Sequence, residues 1–225
     1  MSEQLFLIDG QSFCYRAFYA IRELTNSRGE PTNAIYGFIT TLRKLVRDEK
    51  PDYLAVCFDR KEPTIRSQRY EAYKAHRKPM PEELIEQMPH IKEFVRAYRI
   101  PIFEQPGYEA DDLIATIAKK AERAGLNVVI ATGDKDMMQL VNEKIRMLNV
   151  YQEKMIDEKG VGERFGGLLP SQVVEVLSLA GDASDNIPGV PGIGENTAID
   201  LVREFKSLEG VYQHLDRVQG EARKR

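Results

Sequence analysis

The feature that most constrains the fold is a series of short apolar runs that alternate with helical patterns. "LFLI" (5–8), "YLAVCF" (53–58) and "VVIAT" (128–132) are rich in β-branched and aromatic residues, and "IRMLN" (145–149) is a further candidate strand. Runs of this length and composition predict buried parallel strands. Amphipathic patterns at about 34–48, 82–98 and 110–124 predict helices between them. Strands that alternate with helices predict an α/β sheet covered on both faces.

Acidic residues follow the first three predicted strands. Asp9 follows the first, Asp59 follows the second, and Asp134 and Asp136 follow the third. A single aspartate after a strand is commonly a turn residue or a helix cap. Three strands that end this way in one chain predict carboxylates that converge at one edge of the sheet, which is where open α/β sheets bind ligands.

Another acidic cluster precedes the helix predicted at 110–124. The stretch "PGYEADDLIATIAKK" (106–120) places Glu109, Asp111 and Asp112 beside an apolar helical face. Acids in a first turn are favoured by the helix dipole, but three within four residues exceed what capping requires. We expect these side chains to join the carboxylates at the strand ends.

So many neighbouring carboxylates predict a cation site, since like charges raise one another's pKa. The chain has two cysteines and three scattered histidines, so the ligands are oxygens, which suit Mg²⁺ or Mn²⁺. Two such ions about 4 Å apart typically serve phosphodiester hydrolysis, where one supplies a hydroxide nucleophile and both stabilise the transition state. The alternatives are a calcium site or a solvated acidic face. The sequence shows no EF-hand spacing, and solvated faces do not sit at strand ends.

A basic segment, "TIRSQRYEAYKAHRKP" (64–79), follows Asp59 closely. If this segment is a helix, one face carries cations and tyrosines: Arg66, Tyr70, Tyr73, Lys74 and Arg77. A charged stripe is often only a solvated face. Interleaved tyrosines favour nucleic acid instead, because aromatic rings stack on bases while cations contact phosphates. We expect this segment to overhang the acidic edge of the sheet.

The glycine-rich stretch "GDASDNIPGVPGIGENTAIDLV" (181–202) follows a predicted helix at about 171–180. Asp182 and Asp185 add two acids, and "GVPGIG" forms a turn that opens another helix. Such a turn can direct backbone N–H groups at a phosphate. A glycine turn alone is more often simple punctuation, but between two helices it is more specific.

Composition sets the class of protein. The 225 residues are 42% hydrophobic and 30% charged, with a formal net charge of −3, which predicts a soluble globular chain with one large core or a core plus a small module. After about residue 165, helices joined by Gly/Pro turns predict such a module. No apolar run approaches the ~20 residues that span a bilayer, and the N-terminus lacks signal-peptide architecture. We therefore expect a cytoplasmic monomer that does not contact membranes.

Four motifs, "FDR…TIRSQRYEAYKAHRKPMPEEL", "GYEADD", "TGDKD" and "GDASDNIPGVPGIG", closely resemble in order and spacing the 5′-nuclease domain of bacterial DNA polymerase I, within the flap endonuclease superfamily. The resemblance runs from Asp9 to about Asp216. It implies a PIN-like (resolvase-like) α/β nuclease core at 1–168, with a mostly parallel central sheet and a helical arch at about 61–92. It also implies a helix-hairpin-helix module at 169–225, centred on about 170–212.

The resemblance also implies site residues and cofactors. Residues that match the first metal site of the family are Asp9, Asp59, Glu109 and Asp111, and those at or near the second are Asp112, Asp134, Asp136, Asp182 and Asp185. Matches to catalytic basic residues that orient the scissile phosphate are Arg16, Lys74 and Arg77. Implied DNA-binding residues are Arg66, Tyr70, Tyr73, Lys78, Gly189, Gly192, Ile193 and Gly194. The implied cofactors are two or three Mg²⁺ or Mn²⁺ ions, with K⁺ at the helix-hairpin-helix.

The function implied is that of a structure-specific 5′-3′ exonuclease and 5′-flap endonuclease with a two-metal mechanism. Its partners would be branched or 5′-ended DNA and RNA-primed DNA, in primer removal and repair, with a DNA polymerase acting in cis or in trans. Two departures from the family pattern are present. Asn196 replaces a common lysine, which would weaken one duplex phosphate contact, and the sequence stops at "GEARKR", which predicts a truncated or naturally short nuclease.

Two other functions compete with this one. A non-catalytic binder of DNA junctions would be expected to have lost some of the nine acids, yet all nine are present. A PIN-type ribonuclease typically needs only about four acids and no hairpin module, so the "GVPGIG" turn and the basic segment favour the DNA nuclease.

Overall fold

A computed structural model describes residues 3–218, and a six-stranded sheet lies at its centre. The strands are β1 (Gln4–Asp9), β2 (Tyr53–Cys57), β3 (Ile102–Phe103), β4 (Asn127–Ala131), β5 (Ile145–Asn149) and β6 (Lys154–Ile156). Their order is β3-β2-β1-β4-β5-β6, with β6 antiparallel to β5 and all other pairs parallel. The four strands predicted from the sequence are confirmed. The sequence did not predict β3 and β6, which have only two and three residues.

Helices cover the sheet and build the C-terminal part of the chain. They are α1 (Gly10–Ala20), α2 (Asn33–Glu49), α3 (Ile65–Arg69), α4 (Glu82–Ala97), α5 (Ala110–Arg123), α6 (Glu158–Arg164), α7 (Val173–Ala180), α8 (Glu195–Phe205) and α9 (Leu208–Gln213). The predicted helices at 34–48, 82–98 and 110–124 are confirmed to within one residue at each end. Between residues 3 and 218, no helix is long and apolar enough to cross a membrane.

Each face of the sheet has its own apolar core. Side chains of β1 alternate between the two: Phe6 and Ile8 pack with α1, α2 and α4, whereas Leu5 and Leu7 pack with α5. The core that contains Leu5 and Leu7 continues into α7 and α8, where Val176 and Val202 are fully buried. The sheet is thus covered on both faces as predicted, and the helical C-terminal part shares one of its cores.

The C-terminal helices enclose a small hairpin. Strands β7 (Gly181–Asp182) and β8 (Ile187–Pro188) pair antiparallel between α7 and α8, and residues 183–186 form the tip of this hairpin. Gly181 and Gly189 allow the close approach, because a Cβ atom on either would lie 2.2 Å from backbone atoms of the other chain segment. Residues 219–225 of the predicted module lie outside the described residues.

The interpretation of residues 64–79 as one continuous helix is wrong. Helix α3 ends at Arg69, residues 71–76 form turns, and regular helix resumes only at Glu82. Tyr70 is extended, with φ −139° and ψ 99°, and Lys74 adopts the left-handed region with φ +56°. The expected alignment of Arg66 with the later side chains on one helical face therefore does not occur. The predicted arch at about 61–92 is helical only at its two ends.

A buried amide network fixes α4 to the start of α2. The Gln87 side chain is 1% exposed, and its Oε1 accepts hydrogen bonds from the backbone N–H groups of Ala34 and Ile35, at 2.8 and 3.2 Å. Its Nε2 donates to Asn33 Oδ1 and to Glu83 O, both at 2.9 Å. Gln87 thus satisfies N–H groups that a helix N-terminus otherwise leaves unpaired.

Gln87→Ala should lower the free energy of unfolding by about 2–4 kcal/mol, because it leaves several buried polar groups without partners. Urea denaturation followed by circular dichroism measures this change. Glu86→Ala, an exposed position of the same helix, is the matched control and should change stability by less than about 0.5 kcal/mol. Equal effects of the two substitutions would show that the buried network does not stabilise α4.

Candidate active site

The predicted acidic residues lie at the carboxyl edge of three neighbouring strands. Asp9 is the last residue of β1, while Asp59 and Asp134 lie just beyond β2 and β4. These strands are adjacent in the order β2-β1-β4. Between β1 and β4 the order along the sheet reverses, and a crevice at such a switch point is the usual ligand site of an α/β sheet.

A cavity of about 720 Å³ opens at this edge. Seven of the nine predicted metal-site carboxylates line it: Asp9, Asp59, Glu109, Asp111, Asp134, Asp136 and Asp185. Asp112 and Asp182 do not line it. Asp112 turns toward Arg66, and Asp182 accepts a hydrogen bond from the N–H of Ser184 in the hairpin, at 2.7 Å.

Asp9 is held rigidly in the floor of the cavity. Its side chain is 6% exposed and accepts hydrogen bonds from Ser12 N, at 2.9 Å, and from Thr132 Oγ1, at 2.8 Å. Asp9 is also the N-cap of α1, which follows β1 without a loop. Burial raises the pKa of Asp9 to about 6, against the lowering effect of these two hydrogen bonds.

The first turn of α5 lines the same cavity. Asp59 accepts a hydrogen bond from the N–H of Ala110 at 2.7 Å, so a free amide of the helix N-terminus binds a carboxylate from β2. Asp111 forms no hydrogen bond or salt bridge with any described residue. Burial, followed by repulsion from Asp9, Asp134 and Asp59, raises the pKa of Asp111 to about 8. Asp111 therefore favours its neutral form unless a cation compensates its charge.

Asp134 and Asp136 begin a 3-10 helix, Lys135–Leu140, beyond β4. Asp134 accepts a hydrogen bond from the N–H of Asp136 at 2.9 Å. Asp136 Oδ1 is buried and has no hydrogen-bond partner. Burial and the nearby Asp134 raise the pKa of Asp136 to about 6. A buried oxygen without a partner is the kind of atom that a bound cation would satisfy.

The donor set of this edge fits divalent cations that prefer oxygen. Among residues 3–218, five cavity carboxylates form no salt bridge: Asp9, Asp59, Asp111, Asp134 and Asp136. In the same part of the chain, no three Asp, Glu, His or Cys side chains are close enough together to surround one ion. Mutual repulsion favours such separation, and hard cations such as Mg²⁺ would oppose it.

The cationic segment, residues 64–79, covers this acidic edge as expected, although it is not one helix. Lys74 Nζ lies 2.9 Å from Glu109 Oε1 and 3.7 Å from Asp185 Oδ2. The Tyr73 hydroxyl lies 2.9 Å from Glu109 Oε2 and 3.0 Å from Asp185 Oδ2. Tyr73 is 8% exposed, so the segment encloses Glu109 between α5 and the hairpin.

Two arginines of the segment pair with further acids. Arg66 forms a bidentate salt bridge with Asp112, at 2.6 and 2.7 Å, and Arg77 forms a salt bridge with Asp185. Burial opposes ionisation of Asp112, but hydrogen bonds from Arg66 and from the N–H of Glu109 lower the pKa of this carboxyl below its usual value. Both arginines also line the cavity, within reach of a ligand there.

Arg16 also lines the cavity, beside a residue that the sequence did not reveal. The guanidinium carbon of Arg16 is 5.0 Å from the centre of the Tyr151 ring, a cation–π contact. Tyr151 lies in the turn between β5 and β6 and also lines the cavity. Tyr15 and Lys135 are two further lining residues that sequence reasoning missed. No local pattern pointed to Tyr151, since its turn leads into a strand that itself was not predicted.

The predicted glycine turn lies away from the cavity. Gly189, Gly192, Ile193 and Gly194 do not line it, and neither do Tyr70 and Lys78. Within the turn, the N–H of Ile193 donates to Val190 O at 2.9 Å, and Gly192 has φ +82°. Gly194 caps α8, so the first N–H groups of that helix follow the turn directly.

Family comparisons match both parts of the chain. The family described as "5'-3' exonuclease, N-terminal resolvase-like domain" matches residues 4–166. The family described as "5'-3' exonuclease, C-terminal SAM fold" matches residues 168–225. Together they confirm the predicted resolvase-like core and helical C-terminal part.

Curated relatives are similar over almost the whole chain. The DNA polymerase I of Caldicellulosiruptor bescii is 43% identical over 228 residues, which cover 99% of this chain and 27% of the relative. A thermostable DNA polymerase I from Thermus thermophilus is 46% identical over 222 residues, with 99% and 26% covered. A 5'-3' exonuclease of Aquifex aeolicus is 41% identical over 217 residues, with 96% and 75% covered. The chain thus spans about a quarter of the DNA polymerase I relatives that it matches.

Solved structures share the fold at low identity. A bacteriophage T5 5'-exonuclease with bound zinc has a TM-score of 0.82 at 22% identity, covering 99% of this chain and 83% of that one. The catalytic core of Rad2 in complex with DNA has a TM-score of 0.63 at 20% identity, covering 98% and 67%. Because the two family matches cover residues 4–166 and 168–225 and a 5'-3' exonuclease that this chain covers to 75% is 41% identical, the chain belongs to the 5′-3′ exonuclease family.

Proposed function

We propose that the protein is a divalent-metal-dependent 5′ nuclease that hydrolyses phosphodiesters in DNA. The observation that carries this proposal is the group of seven carboxylates at one sheet edge beneath a cationic segment. Acids without cationic partners suit metal ions, and the overlying cations suit a phosphate backbone. One site therefore offers ligands for both components of a metal-assisted phosphodiester hydrolysis.

The substrate class comes from the relatives. The Aquifex aeolicus relative is a 5'-3' exonuclease, and one T5 structure is a flap endonuclease in complex with DNA and metal ions. By this likeness, the chain acts on 5′ ends and on displaced 5′ flaps, including RNA-primed DNA in primer removal and repair. Its similarity to one part of DNA polymerase I further predicts a polymerase partner, in cis or in trans. We place the protein in the cytoplasm as a monomer.

Two groups of carboxylates would hold the metal ions. Asp9, Asp59, Asp111 and Glu109 line one cavity, from the carboxyl ends of β1 and β2 and the start of α5. The other group is Asp134 and Asp136. The Oδ1 atom of Asp136 is buried without a hydrogen-bond partner among the described residues. Two or three Mg²⁺ or Mn²⁺ ions bound there would supply a hydroxide nucleophile and neutralise negative charge that develops in the transition state.

The basic side chains around the cavity would bind and orient the phosphodiester. Lys74 and Arg77 line the cavity from the cationic segment, and Arg16 of α1 lines it as well. Lys74 and Arg77 pair with Glu109 and Asp185, and a bound scissile phosphate would replace these carboxylate partners. Charge-assisted contacts of this kind hold a phosphate in one orientation for in-line attack.

The glycine turn before α8 would hold the duplex. Gly189, Gly192 and Gly194 bring backbone groups to the surface near a helix N-terminus, where phosphate and K⁺-bridged phosphate contacts are feasible. The turn is spatially separate from the cavity, so we assign it to substrate binding rather than to chemistry. Asn196, in the first turn of α8, lacks the positive charge that a lysine would add.

Asp134→Asn and Asp59→Asn should each reduce cleavage of a 5′-labelled flap substrate in Mg²⁺ by at least about 100-fold, since each removes a charged ligand. Flap binding should persist, because the cationic segment remains. Asp48→Asn, an exposed acid at the end of α2, is the control and should cleave like the unaltered protein.

The same assay tests the proposed class of enzyme. Cleavage near the flap junction in Mg²⁺ and its loss in EDTA support a metal-dependent 5′ nuclease. Near-normal turnover by the Asp134 variant would contradict the site assignment. Preferential cutting of a competing RNA hairpin would favour a ribonuclease, and tight flap binding without cutting would favour a junction binder.

Proton binding by the acidic edge gives a prediction about stability. In EDTA, the free energy of unfolding should fall as pH rises from about 5 to about 8. Over this range folded Asp111, with a pKa of about 8, retains a proton that the unfolded chain, with a value near 3.8, has already released. Asp9 and Asp136, each with a pKa of about 6, act in the same direction.

Urea denaturation at several pH values, with EDTA or Mg²⁺, measures this dependence. Asp111→Asn should flatten the slope and be more stable than the unaltered protein at pH 8 in EDTA, by at least about 1 kcal/mol. Mg²⁺ should stabilise the unaltered protein more at pH 8 than at pH 5, because protons compete with the ion. An unchanged slope in Asp111→Asn would disprove the electrostatic account of this edge.

A further inference from the structure

We propose that Asn186 is a positioning residue that anchors the cationic segment above the active site. Asn186 lies at the tip of the β7–β8 hairpin, residues 183–186, in the C-terminal part of the chain. The cationic segment belongs to the N-terminal part, more than 100 residues earlier in the sequence. The role of this anchor in cleavage rests on the proposed nuclease function, whereas the anchor itself can be tested without it.

Two contacts join the hairpin tip to the backbone of the segment. Asn186 Nδ2 donates a hydrogen bond to Ala72 O at 2.7 Å. The N–H of Lys74 donates to Asp185 O at 2.9 Å. These contacts flank Tyr73 on both sides, so the hairpin tip fixes the backbone at the point where Tyr73 and Lys74 turn toward Glu109.

Side chains of the segment make the remaining contacts. Arg77 Nε donates to Ser184 O at 3.0 Å, and its terminal Nη2 forms a salt bridge with Asp185. The Tyr73 hydroxyl also contacts the Asp185 carboxylate, at 3.0 Å. Residues 184–186 of the hairpin therefore contact four residues of the segment, through both backbone and side-chain groups: Ala72, Tyr73, Lys74 and Arg77.

The segment's own backbone hydrogen bonds close only short turns: Tyr73 N donates to Tyr70 O at 2.9 Å, Ala75 N to Ala72 O at 3.1 Å, and Arg77 N to Lys74 O at 3.0 Å. Between α3 and α4, residues 71–76 lack regular helical hydrogen bonding, and Lys74 has a φ of +56°. A lysine in this region of the Ramachandran plot is uncommon and costs free energy unless surrounding contacts hold it. The hairpin tip supplies such contacts, and they place Lys74 Nζ 2.9 Å from Glu109.

Substituting Asn186 tests the anchoring of the segment separately from its charge and from metal binding. Asp185 carries charge and lines the cavity, so its removal would alter several properties at once. Asn186 is uncharged, does not line the cavity, and reaches the segment through one amide group. Its own φ is +58°, a conformation that asparagine and glycine tolerate. Asn186→Gly therefore removes the anchor without straining the hairpin, and Asn186→Asp keeps the shape but replaces the donor with an acceptor.

Limited trypsin digestion of the purified protein tests the anchor directly. We expect Asn186→Gly and Asn186→Asp to speed cleavage after Lys74 and Arg77 by about tenfold, the effect of losing one part-buried hydrogen bond on local opening. Glu23→Gly, at an exposed non-glycine position that also has positive φ (+56°), is the matched control and should not change cleavage at these sites. Unchanged digestion in both Asn186 variants, with the unaltered melting temperature, would overturn the proposal.

Flap cleavage then tests the link to catalysis. Asn186→Gly should lower kcat/KM by about tenfold without changing Mn²⁺ affinity measured by calorimetry. In a Lys74→Ala background, the same substitution should have little further effect, because the group that it positions is absent. Fully additive effects, or weakened Mn²⁺ binding, would contradict a positioning role. If the Asn186 variants are digested faster but the unaltered protein shows no nuclease activity, the anchor is supported and the proposed function is rejected.

Discussion

Repulsion among carboxylates at one edge of a parallel sheet is the constraint on which the rest of the site depends. The parallel arrangement of β1, β2 and β4 brings their carboxyl ends together, and each end carries an aspartate. Burial then removes the water that would otherwise screen these charges, which is why the pKa of Asp111 rises to about 8. Every neighbouring element compensates part of this charge: the α5 amide of Ala110, the Thr132 hydroxyl and the cationic segment.

The way in which each acid is compensated divides the site into two functional groups. Glu109, Asp112 and Asp185 have lysine or arginine partners, which a phosphate could take over. The other group has backbone or hydroxyl donors at most, so added cations would compensate its charge: Asp9, Asp59, Asp111, Asp134 and Asp136. Substrate and metal would thus act on different carboxylates within one cavity. This division would let a surface built around acids accept a polyanion.

Sequence reasoning succeeded where the signal was local. The apolar runs of β1, β2, β4 and β5, and the acids directly after them, follow from short-range patterns and from the geometry of parallel sheets. It failed for residues 70–79, because a left-handed Lys74 and contacts with residues 184–186 override the helical pattern. Tyr151 and the pairing of Gln87 with Asn33 were equally invisible, since they depend on elements that meet only in three dimensions.

The two family matches divide the sequence near residue 167, yet the site spans the division. Asp185 and Asn186 bind the cationic segment, and a second bridge lies at the start of α8. There, Glu195 binds Lys135 at 3.3 Å and Arg164 at 2.6 Å, so the helix after the glycine turn is tied to the 3-10 helix that Asp134 and Asp136 begin, and to the end of α6. Such pairs are individually weak at the surface, but here they supplement a shared apolar core. A duplex held by the glycine turn would therefore keep a fixed distance from the acidic edge, and that distance would determine which phosphodiester reaches it.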